Sequence, residues 1–307
     1  MAGVIVFSVI VPTFNRAASL QRLLESLAQS RGVDEISTEV IVVNNGSTDR
    51  TAEVCATMVQ WRGAIEFRAV EERIKGKSSA LNCGLAMARG SYLMVLDDDV
   101  IVDAELIRRH FECFQSSDFA AVQGRILPGV DPAGQPTDPS RLREYNIPMI
   151  DYGDRVRAIR GLTGTNMSFK REVFETVGGF DPRLGPGASG FSEDTEFSRR
   201  VRDAGFKIGY TPHAAVYHEL DPARYGSVYN RMVEYRKGRS RSIYRQDSLV
   251  LKVLPNLIAN CLRWAIYKTF GRRQKAYKTE GRIMKCCGQL VGSFKLRCTG
   301  KLASRAG

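Results

Sequence analysis

The sequence predicts an α/β protein built on a Rossmann-like, mostly parallel central sheet with helices on both faces, followed by a basic helical tail. Two observations predict it. Over the first hundred residues, short runs of strand-forming apolar residues alternate with segments of helical period across short connections, the pattern of parallel strands joined by crossover helices. Charge is also segregated: residues 1–221 carry 25 Lys/Arg against 30 Asp/Glu, while residues 222–307 carry 20 against 3, so the net +12 of this 307-residue chain is concentrated in the tail.

VIVFSVIV (4–11) is a buried first strand, and SLQRLLESL (19–27) places Leu20, Leu23, Leu24 and Leu27 on one helical face. EVIVVNN (39–45) is a second strand, TDRTAEVCATMV (48–59) a helix, and IEFRAV (65–70) a third strand. SSALNCGLAMARG (78–90) is a helix stopped by Gly90, and YLMVL (92–96) is a fourth strand. Sheets of this kind bind ligands beyond the carboxyl ends of their strands. At those ends stand Pro12, Thr13 and Asn15, then Asn44 and Asn45, then Asp97, Asp98 and Asp99.

Residues 119–221 are less regular. They offer a strand FAAVQGRIL (119–127), a Pro/Gly/Asp-rich loop (128–140), a glycine-rich GLTGTNMSF (161–169) and a short helix REVFETVG (171–178). The glycine-rich GPGASGFS (185–192) then leads into a helix EDTEFSRRVRDAG (193–205), with acids in its first turn and Gly205 as its stop. His110 is expected to be exposed on the helix after the aspartates, and His213 and His218 flank an apparent strand.

Three carboxylates in a row repel one another, so a cation is expected among Asp97, Asp98 and Asp99. Oxygen ligands at a strand end, with room for water and phosphate oxygens, suit Mg²⁺ or Mn²⁺ better than zinc. Helix capping by Asp103 competes as an explanation, but a cap uses one carboxylate and leaves three to explain. Glu193, Asp194 and Glu196 would be stabilised by a helix dipole with no chemistry at all. Their company, a glycine-rich approach and a separate acidic cluster, favours a general base there. His218 is the better histidine for a third metal ligand, just after its strand.

Taken in order, SVIVPTFNRAASLQRLLESL, VIVVNNGSTDRT, GKSSALNCGL, YLMVLDDDV, GTNMSFKREVFETVGGFDPRLG and SEDTEFSRRVRDAGFKIGYTPHAAVYHE resemble a family-two glycosyltransferase of the GT-A fold over about residues 6–219. The resemblance implies inverting transfer from a nucleoside diphosphate sugar, UDP-sugar favoured, with Mg²⁺ or Mn²⁺, onto a glycan or lipid-linked acceptor in cell-surface polysaccharide or glycolipid assembly. It implies a nucleotide-binding half (1–118) and an acceptor half (119–221). By position it assigns Pro12, Thr13, Asn15, Arg16, Asn44, Asn45, Lys77, Asp97 and Asp98 to the nucleotide sugar. Gly164, Thr165, Asn166 and Glu193 fall on the acceptor side, Asp194 is the base, and Asp97, Asp99 and His218 hold the metal. Asn44 departs from the family's usual aspartate, which loosens the expectation for the base, since an amide both donates and accepts. A nucleotidyltransferase shares the sheet and acids but has no use for the Glu193-Asp194 helix, and a silent binding protein has no use for a base.

The tail (222–307) contains LVLKVLPNLIANCLRWAIYKTF (249–270), whose stretch from Pro255 to Phe270 is expected to be a 16-residue amphipathic helix, short for a bilayer core. Leu254, Leu257, Ile258, Cys261, Leu262 and Ala265 share one face, and the flanking basic runs 236–245 and 271–278 suit anionic headgroups. No nucleic-acid motif accompanies that charge. The N-terminus shows no basic n-region, and the seven cysteines have no paired spacing. A cytoplasmic enzyme peripherally attached to the inner face of the cell membrane is the expectation.

Overall fold

The computed structural model describes residues 4–131, 134–135, 149–221, 226–245 and 247–303. The chain forms two compact units. The first comprises Met1–Arg143, Ile147–Pro182 and Glu193–Pro222; the second comprises Glu144–Asn146, Arg183–Ser192 and Ala223–Gly307.

In the first unit β1 (Phe7–Thr13), β2 (Thr38–Asn44) and β3 (Ile65–Glu71) alternate with α1 (Ala17–Ala28), α2 (Thr51–Val59) and α3 (Lys77–Met87), before β4 (Tyr92–Leu96). A short β5 (Val100–Val102), which the sequence reading does not contain, follows the aspartates and leads into α4 (Leu106–Gln115). Then come β6 (Ala121–Pro128), β7 (Arg157–Ile159), β8 (Asn166–Lys170), α5 (Arg171–Val177), α6 (Glu193–Asp203) and β9 (Ile208–His218). The strands join in the order β3-β2-β1-β4-β8-β6-β9-β5, with β7 also on β9. Strands β1, β2, β3, β4, β6 and β9 run in one direction, and β8, β5 and β7 oppose them.

Alternation of side chains across each strand explains the two cores. Val9, Val40, Val42, Met94 and Leu96 meet Leu20, Leu24 and the α4 residues Leu106, Cys113 and Phe114 on one face. Ile10, Ile41 and Val43 meet Leu81 and Leu85 of α3, Val173 of α5, and Phe197 and Val201 of α6 on the other. Each of these fully buried aliphatic side chains contributes roughly 1.5–3 kcal/mol by leaving water.

Two expectations change here. Helix α3 ends at Met87, and Gly90 is not its cap: a Cβ on Gly90 would lie 2.6 Å from the Ser8 backbone nitrogen, so glycine is required for the approach to β1. His110 is not exposed but fully buried, because it falls on the same helical face as Leu106, Cys113 and Phe114. Part of the loop 128–140, at 132–133 and 136–140, lies outside the described residues.

The second unit packs α7 (Ser227–Tyr244), α8 (Leu254–Thr269) and α9 (Arg273–Ala303) together. The apolar helix does not begin at Pro255. A π-helical turn (Leu249–Val253) runs into α8, giving 21 continuous helical residues from Leu249 to Thr269. Residues 185–192 fold back on themselves through Gly190 N–H to Gly185 C=O (2.8 Å), and the Ser189 and Ser240 hydroxyls, 2.7 Å apart, fasten them to α7.

Candidate active site

The carboxyl ends of β1, β2 and β4 converge on the aspartates, which lie in the turn between β4 and β5. Asp97, Asp99 and His218 each place one ligand atom within 4.8 Å of the others. Residue 218 reaches the aspartates because β9 pairs antiparallel with β5, setting Val100 opposite His218. Asp98 turns the other way and accepts from the Thr13 hydroxyl (2.7 Å).

The donors fit a divalent cation. His218 Nδ1–H donates to the Glu219 carbonyl (2.6 Å), which makes Nε2 the ring nitrogen turned toward the aspartates and able to ligate a metal. That nitrogen faces Asp99 Oδ1 at 3.4 Å. Two carboxylates and one imidazole leave coordination positions for phosphate oxygens, as a catalytic rather than a structural site requires.

Two protein cations stand against the same acids. Arg16 Nη1 lies 3.1 Å from Asp99 Oδ2. Lys77, at the start of α3, binds Asp97 and stands 3.6 Å from Glu193 Oε1. Burial alone would lower the Lys77 pKa, but the charges of Asp97 and Glu193 overcome it and raise it. Burial likewise works against the Asp97 carboxylate, and Lys77 reverses that and holds it below its ordinary value. Burial, reinforced by Asp99, pushes Asp98 up to about 7, and burial with Asp194 does the same to Glu193. Burial also raises Asp99 and Asp194. Buried like charges of this kind are the electrostatic signature of a functional site.

On the other side of Lys77, Thr165 donates to Asp97 Oδ2 (2.8 Å), and a Cβ on Gly164 would come 3.3 Å from the Lys77 ammonium. Glu193 and Asp194 open α6, next to these groups. Asp194 Oδ1 accepts from the Thr195 N–H (2.6 Å) and hydroxyl (3.2 Å), which leaves Oδ2 to receive a proton.

Several assigned residues hold the site rather than face it. Asn45 donates to the Glu72 and Ile74 carbonyls (2.9 and 2.8 Å) and accepts from Gly76 N–H (2.8 Å), so its amide is engaged by the 72–76 loop. Asn166 is buried, donating to the Arg125 and Ala214 carbonyls (3.1 and 3.0 Å) and accepting from His110 (2.9 Å); it ties strands from within and does not reach the acceptor side. Asn15, at φ 52°, accepts from Thr48 N–H (2.7 Å) and so clamps the first loop to the second. Pro12 is buried in β1 opposite Val43. Asn44 keeps capacity for a ligand, donating once, to Glu71 (2.7 Å), and accepting once, from Ser47 N–H (3.1 Å).

Two residues escaped the sequence reading as site members. Glu219 is buried against Arg22 (2.5 Å) and Ser19 (2.8 Å), and its N–H holds the Asp99 carbonyl (2.8 Å). Glu71 becomes visible only through the β2–β3 register that sets it opposite Asn44.

The family model for "Glycosyl transferase family 2" matches residues 8–178. Among curated proteins, Glycosyltransferase AglE of Haloferax volcanii is 23% identical over 245 residues, 80% of this chain and 76% of its own length. A poly-beta-1,6-N-acetyl-D-glucosamine synthase of Staphylococcus epidermidis is 24% identical over 254 residues, 78% of this chain but 55% of its own, so the chain spans about half that relative. Of solved structures, the mannosyltransferase PcManGT of Pyrobaculum calidifontis in complex with GDP-Man and Mn²⁺ superposes with a TM-score of 0.63 at 17% identity, over 94% of this chain and 86% of that one. S. aureus TarS 1–349 in complex with UDP gives 0.53 at 17%, over 96% and 92%. Those superpositions give the fold as GT-A, the family match covers more than half of the chain, and on that ground it belongs to glycosyltransferase family 2.

Proposed function

We propose that the enzyme transfers a sugar, with inversion, from a nucleoside diphosphate sugar to an acceptor hydroxyl in polysaccharide or glycolipid assembly, in the presence of Mn²⁺ or Mg²⁺. The observation that carries this reading is the placement of Asp97, Asp99 and His218 beside the Glu193-Asp194 helix start, with Lys77 between them. The imidazole in the donor set favours Mn²⁺ of the two. UDP is the favoured nucleotide; a structural neighbour holds UDP and another GDP-Man, and the Asn44 amide is compatible with either base.

Asp97, Asp99 and His218 would hold the ion, which when bound neutralises charge on the departing diphosphate. Lys77 adds a second positive charge beside that leaving group. Asp194 Oδ2 takes the proton of the acceptor hydroxyl. The acceptor oxygen bonds to the anomeric carbon as the bond from that carbon to the diphosphate oxygen breaks, its electron pair leaving with the nucleotide. One displacement inverts the configuration.

Thermal unfolding with UDP and GDP, each with Mn²⁺ or EDTA, tests the site, because a ligand selective for the folded state raises apparent stability. Stabilisation by one nucleotide that EDTA removes is expected, and none from either nucleotide would sink the reading. Asp194→Asn should retain that stabilisation while losing transfer by about 10²–10⁴-fold. Full turnover in this variant removes Asp194 from the mechanism.

A further inference from the structure

The second unit carries an apolar surface that none of its own helices covers. On α8 and the turn before it, Leu251, Leu254, Ile258, Leu262 and Ile266 are between 39% and 83% exposed. At about 100° per residue they fall within a band roughly 120° wide. The opposite side of the helix, with Val253 and Asn260 buried, packs against α9. Arg263 stands at one edge of the band and Lys268 toward the other, and Arg272, Arg273, Lys275 and Lys278 follow directly.

Charge complementarity identifies what covers this face. The three acids of residues 222–307 are each paired inside the unit: Glu234 with Lys237 (2.9 Å), Asp247 with Arg241 (3.0 Å) and Glu280 with Arg231 (3.0 Å). The surface around the band is therefore left to the cations, and the partner that offers both an apolar medium and a sheet of negative charge is a lipid bilayer with anionic headgroups.

We propose that this face of α8 lies in the interface of an anionic membrane, parallel to its plane. By length the 21 residues from Leu249 to Thr269 would also cross a bilayer. The packing opposes that arrangement. Helix α9 turns back along α8 after only a short connection and brings Lys275, Lys278, Glu280, Arg282 and Lys285 with it, groups that a spanning α8 would drag into hydrocarbon. Lying flat, α8 buries its band while α9 stays on the aqueous side.

The full chain is tested by co-sedimentation with phosphatidylcholine vesicles with and without phosphatidylglycerol. Binding to the anionic vesicles that salt releases is expected, as is a loss of about tenfold or more in Ile258→Asp/Leu262→Asp, whose sites are exposed and leave the fold intact. Arg263→Ser/Lys268→Ser should narrow the preference for anionic over neutral lipid. Failure of the folded wild type to bind, equal binding to both vesicles, or undiminished binding of the aspartate variant would each overturn the proposal. Resistance of the bound protein to alkaline carbonate would establish a spanning helix instead. A dimer that the aspartate variant dissolves and vesicles do not compete with would assign the face to a second copy.

Discussion

Lys77 places a fixed ammonium where the acids of this site most need a cation, bound to Asp97 and 3.6 Å from Glu193. A divalent ion at Asp97 must compete with it, so Lys77→Met is expected to tighten Mn²⁺ binding to the nucleotide-free enzyme by about tenfold, following the loss of a charge worth at least 1.4 kcal/mol at close range. An Mn²⁺ titration followed by electron paramagnetic resonance measures this, and weaker binding in the variant would show that Lys77 organises the ligands rather than competing for them. Turnover should fall in the same variant, since the leaving diphosphate loses a partner. Glu71→Gln removes the carboxylate beside Asn44 and is expected to reduce nucleotide-dependent stabilisation while leaving Mn²⁺ affinity unchanged; equal losses of both would place Glu71 in the scaffold. The acids were legible because carboxylates crowded at a strand end need an explanation. Asn45 and Asn166 were not, since an amide that ties a loop and one that faces a ligand look the same until their partners are known. His110 was partly legible: it keeps helical step with Leu106, Cys113 and Phe114, a pattern that a polar residue type concealed.

At the scale of the element, three helices of the second unit are joined by one acid. Asp247 accepts from Arg241 of α7 (3.0 Å), Lys252 before α8 (2.6 Å) and Gln289 of α9 (3.0 Å), and its side chain is 8% exposed. Burial alone would raise its pKa, but Lys252, Gln289 and Arg241 hold it well below the ordinary carboxylate range. A depressed pKa contributes stability that is complete above the unfolded value of about 4 and is lost as pH falls below it. Asp247→Asn should therefore cost roughly 3 kcal/mol at neutral pH, seen as earlier melting, with the deficit shrinking in acid. A deficit independent of pH would mean that the carboxylate charge is not what joins the helices. Helix α9 also approaches α7 through Gly288, where a Cβ would lie 2.0 Å from the Tyr235 carbonyl oxygen. Gly288→Ala should lower stability by about 1–3 kcal/mol, read from chemical denaturation. Strands β1 to β4 and helices α1 to α3 were legible from their periods alone. The start of the apolar helix was not, because Pro255 signals a first turn and a π-helical turn ahead of it leaves no sequence period of its own.

Across the whole molecule, acid acts on the buried histidine and on two of the site carboxylates with opposite signs. Under α4, burial pushes His110 down to about 4, only partly offset by its bond to Asn166; its other partner is the uncharged Ser168. Unfolded, the same imidazole titrates near 6.5, so between about 6.5 and 4 the unfolded chain binds the proton that the folded chain excludes. His110 thus lowers stability as pH falls through that window, by roughly 3 kcal/mol once both transitions are passed. Asp98 and Glu193 do the reverse, since, raised to about 7, they take up protons in the folded state first. A pH profile of the wild type alone mixes the two, but the difference between wild type and His110→Gln does not, because the carboxylates are common to both proteins. At pH 7 the wild type should be the more stable, having both of its imidazole hydrogen bonds. On acidification that advantage should shrink and reverse near the lower end of the window, as urea unfolding at a series of pH values will show. A constant difference would mean that His110 takes up its proton in the folded state as readily as in the unfolded one, which a fully buried imidazole between two uncharged partners has no means to do.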